Sequence, residues 1–85
     1  MPEVEVGKVT HYFGKASVAA LELTAPLEVG DTIVVRGGST DFNQTVNSMQ
    51  IERQDVQRAE PGQQVGIKVE QKARPGDVVY KQEGE

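Results

Sequence analysis

Apolar and polar residues alternate along much of this chain, and the alternation predicts strands. Ala19, Leu21 and Leu23 fall on one face of a strand, opposite Val18, Ala20 and Glu22. Val65, Ile67 and Val69 do the same against Gly66, Lys68 and Glu70. A period of two is that of a strand with one buried face. Turn residues separate the apolar runs at short intervals: Gly14, Pro26, Gly30, Gly37-Gly38, Pro61-Gly62 and Pro75-Gly76. No stretch sustains apolar residues at helical spacing; in "SMQIERQDVQRAE", Met49, Ile51 and Val56 make no stripe. The predicted fold is all-β, a small closed antiparallel barrel of about six strands. The strands run from about Val4 to Tyr12, Ala16 to Leu23, Thr32 to Arg36, Gln44 to Glu52, Gln64 to Glu70 and Val78 to Lys81. "QDVQRA" is a candidate further short strand.

The parity slips once, where Val46 falls out of step with Met49 and Ile51. A bulge near Asn47-Ser48 would return all three to the core. The expected core is Val9, Ala19, Leu21, Leu23, Leu27, Ile33, Val35, Val46, Met49, Ile51, Val65, Ile67, Val69 and Val78. One phrase recurs: "PLEVGDTIVVRG", "EPGQQVGIKV" and "RPGDVVYK" each pass from a Gly-containing turn into a β-branched run. Pro at the second turn position presets φ, and Gly at the third takes the positive φ of a type II turn. Three such corners suit a closed sheet, which has no free edge.

Composition narrows the picture. The 85 residues fit one domain, with a core from about Val4 to Lys81 and a short acidic tail over 82–85. There is no cysteine, which excludes disulfides and thiolate metal sites and suits a reducing compartment. His11 is the single histidine, and no metal or cofactor is expected. No apolar run approaches a membrane span, and "MPEVEVGKVT" lacks the pattern of a signal peptide, so a cytoplasmic location without membrane contact is expected. The net charge of −4, with both signs interspersed, argues against strong non-specific nucleic-acid binding and leaves a local basic face open.

The order of these motifs resembles the β-barrel that follows the GTPase domain in translational GTPases of the elongation factor Tu type. The resemblance lies in Gly7-Lys8-Val9, in Leu27 to Gly37 ("LEVGDTIVVRG"), in Val46 to Ile51, in Ala59 to Ile67 and in Arg74 to Val79. "THYFGKASVA" and "TDFNQTVNSMQIE" look more similar still to free-standing translation elongation factor-like proteins. The resemblance implies a binding module of protein biosynthesis that meets RNA, either tRNA or rRNA, or a ribonucleoprotein. The chain carries no phosphate loop, so nucleotide hydrolysis is not expected. The alternative is a protein-interaction module that docks onto a larger enzyme or translation factor.

The residues offer little catalytic chemistry. His11 with Ser17, Ser39 or Ser48 would be needed for a triad, and no nucleophile elbow surrounds any of them. Glu52 and Asp55 beside Arg53 read as solvated charges. The chain is therefore read as no enzyme. Three stretches are candidates for binding. In "HYFGK", His11, Tyr12, Phe13 and Lys15 would give an outward aromatic beside a cation; alternatively, Phe13 plugs the barrel end and Tyr12 packs over its rim. In "RGGSTDFNQ", Arg36 and Phe42 flank a Gly-Gly pair and four uncharged hydrogen-bonding residues, or Phe42 simply anchors a hairpin loop. Lys68, with Lys72 and Arg74, would form a small basic patch or one part of a mixed, solvated face.

Overall fold

The computed structural model describes residues 3–82. Ten strands follow one another: β1 (Glu3–Phe13), β2 (Val18–Leu23), β3 (Leu27–Glu28), β4 (Thr32–Arg36), β5 (Asp41–Thr45), β6 (Met49–Ile51), β7 (Gln54–Val56), β8 (Arg58–Ala59), β9 (Gln64–Lys68) and β10 (Val78–Gln82). Eight form one antiparallel sheet in the order β5-β4-β10-β1-β2-β9-β6-β7, and β3 pairs with β8 separately. There is no helix among the described residues. The all-β expectation holds, while the closed barrel of about six strands does not: the sheet is open and the strands number ten.

β1 is the long central strand, pairing with β10 on one side and β2 on the other. It is bulged twice, at Val6 against β10 and at Thr10 against β2. Each bulge resets the side-chain parity and bends the strand. That is how Val6, Gly7 and Val9 all lie buried on a strand whose simple alternation would expose one of them. Gly7 is required by close approach: a Cβ there would stand 2.5 Å from the Glu22 carbonyl oxygen. The hydroxyl of Thr10, the second bulged residue, donates to the Ala20 carbonyl at 3.3 Å.

The repeated phrase folds into the same unit each time. Gly30, Gly62 and Gly76 have φ of 102, 89 and 95°. The fourth residue's N–H donates to the first residue's carbonyl, Asp31 to Glu28 at 3.1 Å, Gln63 to Glu60 at 3.2 Å and Asp77 to Arg74 at 3.0 Å. The fourth residue's side chain then accepts the first residue's N–H, through Asp31 Oδ2 at 2.9 Å, Gln63 Oε1 at 2.7 Å and Asp77 Oδ2 at 2.8 Å. In each copy the glycine N–H donates across to another segment, Gly30 to Val46 at 2.9 Å, Gly62 to Leu23 at 2.8 Å and Gly76 to Val9 at 2.8 Å. The recurring Asp or Gln after Gly therefore closes a side-chain bond that the turn pattern alone did not predict. The three turns lead into β4, β9 and β10.

The open sheet is nearly brought round on itself by one side chain. Gln44, on the edge strand β5 and 7% exposed, donates from Nε2 to the Lys68 carbonyl at 2.9 Å. Its Oε1 accepts the Glu70 N–H at 2.7 Å. A carboxamide carries the same donor and acceptor as a peptide group, so it replaces one rung of a ladder that the backbones do not form. The three Gly turns that suggested a closed sheet are present, but β5 meets the β9 end through this side chain and not through a backbone ladder.

Inside lies one core. Leu21, Leu23, Leu27, Ile33, Met49 and Ile67 are its largest fully buried side chains, each worth about 1.5–3 kcal/mol of transfer from water. Twelve of the fourteen expected core residues are buried. Val78 and Ile51 are half-buried instead. Val79 takes the core position because β10 pairs Val79, not Val78, with Val35. Val6, Val34, Phe42, Ala59 and Ala73 are buried residues the alternation missed. The single strand expected over Gln44 to Glu52 is two, β5 and β6, parted by 46–48; a break, not a bulge, lets Val46 and Met49 both face inward. "QDVQRA" likewise supplies both β7 and β8. Of the expected tail, Gln82 belongs to β10 and the rest lies outside the described residues.

Candidate functional site

A concavity lies on the outer face of the sheet. It is a groove of about 450 Å³ between the β1–β2 turn and the β6–β7 turn. Its floor is made of small outward positions on neighbouring strands, Val18 and Ala20 of β2 and Gly66 of β9, with Ala20 and Gly66 directly paired. Gly66 keeps the floor low: a Cβ there would press on Val18 Cγ1 at 3.1 Å. Phe13 and Ala16 form one wall, and Gln50, Glu52 and Arg53 the other. Gln50 is braced by donating from Nε2 to Asp55 Oδ1 at 3.0 Å.

The two turns beside the groove hold backbone that L-residues rarely adopt. Among the described residues, Ser17, Glu52 and Arg53 are the non-glycine residues with positive φ, at 56, 52 and 68°. Glu52 and Arg53 form the two-residue link between paired Ile51 and Gln54. Two positive φ values in succession define the hairpin turn for which Asn-Gly is the favoured sequence. A charged pair there costs local strain of about 1 kcal/mol or more per residue.

The candidate residues of "HYFGK" divide at this groove. Phe13 faces outward, 50% exposed, and lines the groove. His11 lies on the same outer face, exposed, its ring centroid 4.4 Å from that of Phe13 and tilted by 54°. Tyr12 points the other way and packs on the core. Lys15 sits exposed in the turn. Phe13 is therefore no plug of the sheet's end. The other candidates have other work. Phe42 is buried in the core, which leaves the loop of Arg36 to Gln44 without an aromatic face. Arg36 holds Glu3 through two bonds of 2.6 and 3.1 Å and lies 5.6 Å over the Tyr80 ring. Lys68 is exposed on β9, and its carbonyl is the acceptor for Gln44. Elsewhere on the surface, Arg58 bridges Glu60, at 2.7 Å, and Glu28. The hydrogen bonds it donates to Glu60 and Glu28 raise its pKa above the ordinary arginine value.

Sequence reasoning missed the groove's floor and its second wall. Glu52 and Arg53 read as solvated charges because no Asn or Gly marks a two-residue turn. The available signal was subtler: Ala20 and Gly66 are small residues at outward strand positions. Among the described residues, no cluster of three His, Asp or Glu side chains is placed to hold a metal ion, and no helix is long and apolar enough to cross a membrane.

Fold and groove define a small all-β module with a shaped apolar depression on its outer sheet face. No protein-family model matches the chain. It is 42% identical over 79 residues to an uncharacterized protease of Methanocaldococcus jannaschii, covering 92% of this chain and 19% of that protein. It is 37% identical over 81 residues to a collagenase of Porphyromonas gingivalis strain W83, covering 93% of this chain and 20% of the collagenase. The chain thus spans about a fifth of the length of the curated relatives it matches. Among solved structures, the C-terminal domain of a Geobacillus thermoleovorans putative U32 peptidase superposes with a TM-score of 0.86 at 22% identity, over 92% of this chain and 91% of that one. Its selenomethionine variant gives 0.84, also at 22% identity, over 88% and 95%. The fold is that of the U32 peptidase C-terminal domain.

These findings overturn the resemblance to translational GTPases. The relatives are named as proteases and collagenases, so an RNA-binding module of protein biosynthesis is not what this chain resembles. The shared turn-and-strand phrase explains the error: it encodes a corner of an antiparallel sheet, and corners recur in proteins of unrelated activity. The reading as no enzyme is corrected on the same ground, because the relatives at this level of identity carry enzyme names. The alternative of a module docking onto a larger enzyme fits these findings better.

Proposed function

We propose that this chain is the protein-interaction module of a U32-type peptidase, contributing recognition to a proteolytic protein about five times its length. The observation that carries the proposal is the 42% identity along 79 residues to one-fifth of a protease. The solved C-terminal domain of a U32 peptidase with the same fold supports an autonomous unit. The exposed groove of about 450 Å³ supplies a surface that binding would use. The acidic balance suits this role, since a protein partner demands no basic face. The associated activity is proteolysis, the Porphyromonas relatives being named collagenases, and the cytoplasm suits a chain without cysteine.

The test is a graft. The matching 81 residues of the P. gingivalis collagenase are deleted, or replaced by this chain, and gelatin hydrolysis is followed. Deletion is expected to raise KM or lower kcat, and the graft to restore most of the loss. Hydrolysis unchanged by deletion, or unrecovered by a folded graft, would overturn the proposal.

A further inference from the structure

The outer-face groove has features that neither the core nor the turns require. All three strained non-glycine residues, Ser17, Glu52 and Arg53, lie in the two turns that bound it. Asn-Gly would relieve the second turn at no cost to packing, since Glu52 and Arg53 are exposed. Backbone held in sparsely populated conformations clusters at binding surfaces. The opposite wall carries Phe13, which with Val4 is one of two large apolar side chains left exposed among the described residues.

We propose that this groove is the docking site for the body of the peptidase, taking one apolar side chain flanked by charges of both signs. The knob would lie on Ala20 and Gly66 against Phe13. A basic group of the body would meet Glu52, and an acidic one Arg53. This rests on the reading of the chain as a peptidase module.

A second copy of the chain fits worse. A stable dimer needs about 800 Å² of matched surface from each partner, and two isolated exposed apolar side chains do not supply its centre. A single-knob contact is weak by itself, but it suffices between linked domains, where the effective concentration reaches the order of millimolar. The relatives, with about four-fifths of their length outside the match, provide such a linked body.

The experiment is an amide-resolved NMR titration of the isotope-labelled chain with the P. gingivalis collagenase lacking its matching 81 residues. Saturable shifts centred on Phe13, Val18, Ala20, Glu52, Arg53 and Gly66 are expected. Phe13→Ser should weaken binding by about tenfold or more, as loss of a central aromatic does. Ala20→Arg, which fills the floor from an outward position, should do the same with a preserved spectrum. Exchanging the charges, Glu52→Arg with Arg53→Glu, should weaken binding while leaving the apolar contacts in place. Saturable shifts elsewhere, or full-strength binding by folded Phe13→Ser and Ala20→Arg, would overturn the groove and leave the module reading standing. No binding up to millimolar body would overturn the groove as the docking site, while the module reading falls only if the graft also fails to restore hydrolysis. A concentration-dependent dimer of the chain alone, abolished by Phe13→Ser, would show the groove to be a self-association site and overturn the proposed occupant.

Discussion

Replacing Gln44 by Leu removes the bond across the open seam while keeping nearly the same side-chain volume. The carboxamide makes two good hydrogen bonds there, to the Lys68 carbonyl at 2.9 Å and from the Glu70 N–H at 2.7 Å. Its third contact, to Thr45 O at 3.4 Å, is too long to count. A net hydrogen bond contributes about 1 kcal/mol, and a buried group left without a partner costs about 1–3 kcal/mol. Lys68 and Glu70 are themselves exposed, so water can reach part of their backbone and the lower figures apply. The expected loss is about 2 kcal/mol, with a ceiling of about 4 kcal/mol. For a domain of this size, 2 kcal/mol corresponds to a fall of roughly 8–16 °C in Tm. Circular dichroism on heating, with urea unfolding to confirm an unchanged m-value, measures it. Amide exchange gives an independent readout: Glu70 should lose protection, while Val69, whose N–H donates to Ser17, should keep it. Asn43→Ala, on the exposed face of the same strand, serves as control and should cost less than about 0.5 kcal/mol. A loss below about 0.5 kcal/mol for Gln44→Leu would show that the seam holds without its carboxamide.

Glu52-Arg53→Asn-Gly should raise stability by about 1–2 kcal/mol in urea, since it fits the positive φ values of 52 and 68°; a fall would show that the turn is not strained. Gly7→Ala should destabilise by about 2–3 kcal/mol, because its Cβ would meet backbone at 2.5 Å, and a loss below about 1 kcal/mol would show that β2 yields readily. Arg58→Ala should leave the thermal midpoint nearly unchanged at ordinary salt, as its partners are exposed. Its raised pKa gives a contribution present below the unfolded arginine pKa and lost only as pH rises through the folded one, so this pair adds no pH dependence between pH 5 and 9, roughly; a stability profile that loses a step there in Arg58→Ala would contradict this.

Much of the fold is legible in the residues, because strand parity and turn chemistry are local. The β4 bounds of Thr32–Arg36 follow from its β-branched run between a Gly-Asp and a Gly-Gly turn. The positive φ at Gly30, Gly62 and Gly76 follows from their place in the repeated phrase. What was not legible is set by partners distant in sequence. The bulges at Val6 and Thr10 come from pairing with two different strands, and they overturn simple alternation along β1. The inward turn of Val79 depends on its register with Val35. Gln44 looked like a free hydrogen-bonding side chain in a loop, and only its meeting with Lys68 and Glu70 makes it a seam. The candidate site was legible on one wall. Phe13 was a candidate because adjacent Tyr12 and Phe13 cannot share a face of a strand, so one of the two had to point outward. Glu52, Arg53 and Gly66 come from other turns and strands, and nothing local joins them to Phe13.

Whether this module belongs with a peptidase or with RNA is tested most directly by NMR titration of the chain with the P. gingivalis collagenase remainder and, in parallel, with tRNA at two salt concentrations. Saturable shifts with the peptidase remainder, weakened about tenfold or more by Phe13→Ser, and none with tRNA are predicted. Salt-dependent saturation with tRNA and no shifts with the peptidase remainder would contradict the peptidase reading.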